Sequence, residues 1–269
     1  MYREGLEFAY INHLGERFFL GGNGCFVNKS NLRDYEYSYD ISQGKIKNLA
    51  IKEHSPNPTI YLYGENRKRN ANIIHEIFEK DTRSGENGTI QLDGYEKKGF
   101  CVASEKPEYG NAVIAITLTF VSTERWKKTT HNSFVPVPLY QLGLDYEYDF
   151  DYDFAMDIDY TELKNEDFMP CDFILTISGY CDNPSIIVND HVYNVNVEVQ
   201  ENENLIIDSS NKTILLQREN GEKVNVFYAR NREHYIFEKI PSGINRVEYN
   251  ENMRFSFDLI EERSEPKWI

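Results

Sequence analysis

Polar and apolar residues alternate one by one along much of this chain, and for longest in residues 145–160, DYEYDFDYDFAMDIDY. Asp145, Glu147, Asp149, Asp151, Asp153, Asp157 and Asp159 are interleaved with Tyr146, Tyr148, Phe150, Tyr152, Phe154, Met156, Ile158 and Tyr160. A period of two marks an extended chain with one apolar and one polar face. At about 3.3 Å per residue the stretch would reach roughly 53 Å, far beyond the usual five- or six-residue strand. An extended arm broken near Ala155 is therefore predicted. Successive acids on one face lie about 6.7 Å apart and repel by roughly 0.6 kcal/mol per pair in water, which solvent tolerates and a dry core does not. The aromatic face needs a cover, so Tyr146, Tyr148, Phe150, Tyr152 and Phe154 are the candidate interface residues.

Elsewhere the alternation comes in short runs. Leu6–Ile11 and Arg17–Leu20 read as strands around a turn at Asn12–Gly15, and Asp34–Ile41 as a half-buried strand carrying Tyr35, Tyr37 and Tyr39. Gly21-Gly22-Asn23-Gly24 has neither the Lys-Ser/Thr nor the helix of a phosphate loop and reads as a turn. After Pro56-Asn57-Pro58 comes the strand Thr59–Tyr63. Asn70–Lys80 is the one helix, with Ile73, Ile74, Ile77 and Phe78 as its apolar stripe and Asn70 as its cap. His75 and Glu79 on its flank read as surface. Strands follow at Gly88–Leu92, Lys98–Ser104 and Ala112–Val121, and the prolines of Phe134–Leu139 mark a linker or edge. Beyond the arm and a polar link over Thr161–Asp167, the predicted strands are Phe173–Ser178, Ser185–Val188, Val192–Val199, Leu205–Asp208, Thr213–Gln217, Lys223–Tyr228, Tyr235–Lys239, Asn245–Tyr249 and Arg254–Ile260. Asn220-Gly221 makes a turn among them. Close spacing with almost no helix is a β-sandwich count. The fold class expected is mainly β, in two β-rich domains: residues 1–140, an acidic and aromatic linker over 141–168, and residues 169–269.

Charge sharpens this division. Residues 1–140 hold 18 Lys and Arg against 17 Asp and Glu, a net of +1; residues 141–269 hold 11 against 27, a net of −16, and together they make the −15 of the whole chain. A field of that sign repels nucleic acid and anionic membranes, so neither is expected as a partner. No run approaches the roughly eighteen apolar residues of a membrane span, and the N-terminal residues do not read as a signal peptide. The sequons at Asn28, Asn87 and Asn211 accordingly carry no weight.

Candidate chemistry is thin. Cys25, Cys101, Cys171 and Cys181 are scattered and read as free thiols. The histidines do not cluster in sequence, and there is no G-x-S-x-G elbow, H-E-x-x-H or Walker loop. The acids of 145–160 lie in a row, whereas a calcium loop folds its ligands around one centre. No catalytic residue, metal or cofactor is assigned, and the chain is not expected to be an enzyme.

The second half carries a resemblance. Gly179 closes a strand and Asn183-Pro184-Ser185 follows. Then come Leu205–Asp208 with Asn211–Ile214, Pro241–Val247, and a closing Pro266–Trp268. In this order and spacing they resemble the C-terminal part of distal tail proteins of siphophages and prophages of Gram-positive bacteria. The helix Asn70–Lys80, the strand Ala112–Phe120 and an aromatic turn around Trp126 match more loosely. The resemblance implies a structural virion component of the tail, assembled in the host bacterial cytoplasm. It implies a hexameric ring, built by the first domain, that joins the tail tube to the tail tip or receptor-binding proteins. It also implies a galectin-like C-terminal sandwich. Such a fold need not bind sugar, and the only Trp of that half is Trp268. The alternative is a carbohydrate-binding module or adhesin of a Gram-positive bacterium.

Overall fold

A computed structural model describes residues 7–22, 24–53, 55–110, 112–135, 161–249 and 253–268. The arm expected over Asp145–Tyr160, with Tyr146, Tyr148, Phe150, Tyr152 and Phe154, lies outside them. The chain is mainly β, with one α-helix among the described residues, and forms two compact units. Unit 1 is Met1–Lys128 with Glu262–Ile269, and unit 2 is Thr129–Glu261.

Unit 1 contains β1 (Phe8–Ile11), β2 (Arg17–Phe19), β3 (Cys25–Lys29), β4 (Tyr37–Ser42), β5 (Lys45–Ile51), β6 (Thr59–Tyr63), α1 (Arg67–Ser84), β7 (Gly88–Leu92), β8 (Tyr95–Tyr109), β9 (Val113–Val121) and the start of β10 (Trp126–Phe134). The fifteen-residue β8 organises it. Its first part pairs with β7, which leads on to β1 and β2; its second part pairs with β9, which leads on to β6 and β3. Register shifts at Cys101/Ala103 and Glu105/Glu108 interrupt the β8–β9 ladder. That explains why only Lys98–Ser104 reads cleanly as strand in the sequence: a bulge breaks the period of two.

The helix is longer than predicted. Asn66, not Asn70, is its N-cap, and no side chain caps it. It ends at Gly85, whose left-handed φ of 74° lets its N–H reach the Asp81 carbonyl at 2.9 Å. Ile74, Ile77 and Phe78 of the predicted stripe are buried, with Ile73 packed beside them. Phe78 sets its ring edge-on against Tyr10 at 4.8 Å and Phe120 at 5.8 Å. The same face buries Asp81 completely. That carboxylate accepts from the Tyr10 hydroxyl at 2.6 Å and the His13 backbone N–H at 2.8 Å, and lies 2.6 Å from His13 Nδ1. Burial first, and the Asp81 partner second, push the Tyr10 hydroxyl above its ordinary pKa. Gly88 and Gly99 sit opposite each other in the β7–β8 ladder beneath this cluster. A Cβ on Gly88 would overlap the Tyr10 hydroxyl and the Asp81 carboxylate.

Unit 2 holds most of β10, then β11 (Thr161–Asn165), β12 (Asp172–Ser178), β13 (Cys181–Asp182), β14 (Ser185–Val188), β15 (His191–Asn194), β16 (Glu198–Val199), β17 (Asn204–Asp208), β18 (Thr213–Gln217), β19 (Lys223–Asn225), β20 (Gly243–Tyr249) and most of β21 (Arg254–Arg263). Antiparallel pairing gives one sheet in the order β19-β18-β17-β12-β21 and a second in the order β11-β20-β14-β15. Alternate residues of both, among them Leu163, Phe173, Leu175, Ile186, Leu205, Ile214, Val247 and Phe257, share one core. That makes a sandwich.

Three sequence expectations fail here for local reasons. The supposed polar link opens with β11, whose Leu163 and Asn165 point inward. Lys223–Tyr228 stops being strand at Asn225, where its side-chain Oδ1 accepts the Phe227 N–H at 2.9 Å and starts a 3-10 turn, Phe227–Ala229. Tyr235–Lys239 is a turn, closed by Glu238 N–H on the Tyr235 carbonyl at 3.0 Å. It buries the consecutive Ile236 and Phe237, which a strand would send to opposite faces.

Gly88→Ala is expected to destabilise unit 1 by about 2 to 3 kcal/mol through overpacking against buried groups that have no room to move. Urea denaturation followed by far-UV circular dichroism measures it, and an unchanged midpoint would refute the packing described.

Candidate assembly interface

The described residues offer little to chemistry. Among them no group of three or more His, Cys, Asp or Glu side chains is arranged to hold a metal ion. Burial pushes the thiols of Cys25, Cys101 and Cys171 up to about 12, so they are protonated and inert at neutral pH. Tyr10, Asp81 and His13 have the composition of a catalytic cluster, but Tyr10 and Asp81 are sealed in the core with their bonds made internally. His75 faces a cation: its Nε2 lies 2.8 Å from Lys106 Nζ. Burial, then Lys106, lower its pKa, so the ring is neutral and accepts from the ammonium. Glu79 pairs instead with Arg83 at 3.0 Å.

What the structure does offer is surface built for contact. β4 and β5 form a two-stranded ribbon that pairs with no other described strand. Gln43 and Gly44 turn it with φ of 52° and 72°, the all-positive geometry of a tight two-residue hairpin. Opposed residues Tyr37 and Ile51, and Ile41 and Ile46, share a face with Tyr39. The other face carries Ser38 and Asp40, the latter opposite Lys47 and accepting from Asn48 Nδ2 at 2.8 Å. The ribbon is thus amphipathic. Its apolar face is not covered, however: Ile41 is 69% exposed and Ile46 67%. Asp34–Ile41, expected as a half-buried strand, is therefore displaced to Tyr37–Ser42 and lies open to solvent. Its partner β5 escaped the sequence reading because a register shift between Ser38 and Asp40, opposite Asn48 at φ 52°, breaks the alternation.

The ribbon is anchored at its root. Arg33 donates from Nη1 to the Pro266 carbonyl at 2.6 Å and the Lys267 carbonyl at 3.3 Å, and from Nη2 to Asp93. Its guanidinium carbon lies 4.3 Å over the Trp268 ring. Trp268 in turn donates to Glu265 at 2.8 Å. The Tyr37 hydroxyl bonds to Ser264, and Lys52 pairs with Glu36 across the ribbon's base. One arginine thus joins the C-terminal segment, the β7–β8 turn and the loop that launches the ribbon. Pro266–Trp268 stood out in the sequence; its partner Arg33 did not, because nothing local marks a contact spanning more than two hundred residues.

A second aromatic surface lies on the edge strand β3. Phe26 stacks on Tyr61 at 5.1 Å and meets Tyr63 at 5.9 Å, and Phe26 and Tyr63 are both exposed. The candidate residues Tyr146, Tyr148, Phe150, Tyr152 and Phe154 are outside the described residues, so the structure neither joins them to these surfaces nor separates them.

No protein-family model matches this sequence, and no curated protein matches it. Solved structures do. A chain of the phage P2 baseplate in its activated conformation with calcium aligns with a TM-score of 0.60 at 13% identity, over 98% of this chain and 100% of that one. The Dit protein of phage SPP1, described as a paradigm of the hub adsorption apparatus in phages infecting Gram-positive bacteria, aligns at 0.57 and 9% identity, over 94% and 99%. The likeness establishes a shared fold.

Arg33→Ala is expected to release residues 264–268, raising amide exchange there and across β4, with a stability loss of about 1.5 to 3 kcal/mol from the charged hydrogen bonds. Exchange unchanged in both segments would refute the anchor. In native protein at pH 8, Ellman's reagent should react measurably with Cys181 alone, which is only half-buried, and with all four thiols after denaturation. Fast reaction of Cys25 or Cys101 in the native state would contradict their burial.

Proposed function

We propose that this chain is a distal tail, or baseplate hub, protein of a phage or prophage, a structural virion component and not an enzyme. The observation that carries the reading is the match in fold to the P2 baseplate chain and the SPP1 hub protein across both units, with almost nothing left over on either side. In this reading unit 1 builds a ring of six copies. The ring joins the tail tube to the tail tip or receptor-binding proteins, and unit 2 is the galectin-like sandwich.

Ring formation is supported by the surfaces of unit 1. An isolated two-stranded ribbon is marginally stable in water, and its uncovered Tyr39, Ile41 and Ile46 face suits burial against another copy. A ribbon reaching a different patch on the next copy is a head-to-tail contact, which closes into a ring when the rotation permits. The Phe26, Tyr61 and Tyr63 surface is a suitable receiving patch, since aromatic residues are enriched at such contacts. Free carboxylates and thiols are not needed for this role, and the tail of a virion is its place of action after assembly in the host cytoplasm.

Native mass spectrometry and negative-stain imaging of the full chain, at rising concentration, test the reading. A ring of about six copies is expected from the resemblance, with cyclic symmetry. The double variant Ile41→Ser, Ile46→Ser should remain monomeric while melting like the wild type at a dilution where it too is unassembled, since neither side chain is in the core. A chain that stays monomeric to millimolar concentration, and binds neutral glycans in that state, would contradict the hub and favour a free-standing carbohydrate-binding module or adhesin.

A further inference from the structure

Unit 2 carries an aromatic and cationic platform that the sandwich core does not use. We infer that it is a binding site for a sugar chain bearing anionic groups, phosphate or carboxylate. Three separate segments build it. The loop 227–237 supplies a run of rings: Tyr228 beside Phe227 at 6.4 Å, Phe227 stacked on Phe237 at 6.1 Å, and Phe237 against Tyr235 at 5.9 Å. The turn between β17 and β18 supplies Lys212, whose ammonium lies 5.4 Å from the Phe237 ring and 5.7 Å from Tyr235. The start of β15 supplies His191, whose Nε2 bonds the Tyr235 carbonyl at 2.9 Å and whose ring lies 5.8 Å from that of His234.

Two properties point to the ligand. The ends of the run are open, Tyr228 at 84% and Tyr235 at 56% exposure, while Phe237 is buried beneath as a rigid support. The exposed rings of the platform, Tyr228 and Tyr235, are both tyrosines, so it offers ring faces that carry hydroxyl groups. Such faces fit the polar and C–H faces of sugars better than the apolar side chains of a peptide. The second property is charge. Lys212 lies within electrostatic reach of Asp172, a carboxylate already paired with Lys239 at 2.7 Å, so the turn keeps a surplus cation, and Arg230 spends one Nη1 on the Phe227 carbonyl at 2.9 Å while its guanidinium lies 3.9 Å over the Phe227 ring. Lys212, over the exposed Tyr235, presents the N–H donors that recognise an anionic oxygen, and Arg230 caps the half-buried Phe227. Lys212 is moreover held at a left-handed φ of 55°, which directs it onto the rings from a tight turn. The acidity of the second half does not cancel this. At physiological ionic strength, charges beyond about 8 Å are largely screened, so the net charge of the half is not the local charge at Lys212. No Trp cluster marks the site in the sequence; Tyr and Phe from distant segments take that place.

The inference concerns unit 2 and does not depend on ring formation. Its test is affinity electrophoresis of the full chain in gels containing phosphomannan, polygalacturonate, dextran or inorganic polyphosphate. Retardation by at least one of the two anionic polysaccharides, and none by dextran, is expected; which one binds tells a phosphate from a carboxylate ligand. Tyr235→Ala and Lys212→Asn should each weaken that binding about tenfold, equivalent to about 1.4 kcal/mol, without changing the melting temperature. Asn tolerates the left-handed turn, so the second variant should fold. The proposal is overturned if neither anionic polysaccharide binds, or if the variants bind as the wild type does. It is equally overturned if polyphosphate binds as tightly as the polysaccharides and Tyr235→Ala leaves that unchanged. Tighter binding of a synthetic peptide covering residues 145–160 would assign the platform to an acidic peptide instead.

Discussion

A ribbon of two strands cannot bury its own apolar face, and β4–β5 is such a ribbon. Tyr39, Ile41 and Ile46 line one side of it in water, and no third strand is hydrogen-bonded to either edge among the described residues. The rest of unit 1 holds the ribbon in place without covering it. Arg33 and Tyr37 tie its root to the C-terminal segment, which lowers the conformational freedom lost when the ribbon finds a partner. An exposed apolar face with a fixed base is what the proposed association between copies would use.

The two units separate rigidity from contact. In unit 1 the rigid part is the helix seated on the bent β8 system, locked by the buried Asp81 and its donors from Tyr10 and His13. Removing water from a carboxylate is costly, and three hydrogen-bonding groups from two neighbours offset that cost only in one geometry, so the cluster specifies how helix, β1 and β7 fit together. In unit 2 rigidity comes from apolar burial between two sheets, with Phe173, Tyr193 and Phe257 in edge-on contact at its centre. Titratable groups of the kinds that serve catalysis elsewhere are used here in structure: the thiols of Cys25, Cys101 and Cys171 are protonated in the core, and Tyr10 serves Asp81.

Regular alternation made much of this legible from sequence. Thr59–Tyr63, Gly88–Leu92, Ser185–Val188 and Thr213–Gln217 are strands with the predicted limits, because none carries a bulge and all but the more fully buried Gly88–Leu92 alternate in burial. The helix core was equally plain from Ile74, Ile77 and Phe78. Irregularity hid the rest. A register shift concealed β5, an Asn225 side chain ended β19 early, and consecutive burial of Ile236 and Phe237 disguised a turn as a strand. The contact surfaces were the least legible part. Arg33 with Pro266, and Lys212 with Tyr235, are pairs that only the tertiary fold brings together. The longest alternating stretch, Asp145–Tyr160, lies outside the described residues, and the exposed apolar face that the structure does describe is that of the β4–β5 ribbon.

The central claim is that the β4–β5 ribbon is completed by another copy of the chain. Hydrogen–deuterium exchange of residues 37–51, measured on one preparation at dilute and at assembling concentration, tests it most directly. Fast exchange in the dilute chain, slowing strongly when copies associate while the α1 amides stay equally protected throughout, is the predicted result. Exchange in 37–51 that remains fast in the assembled particle would contradict it, since the ribbon would then be uncovered in the assembly as well.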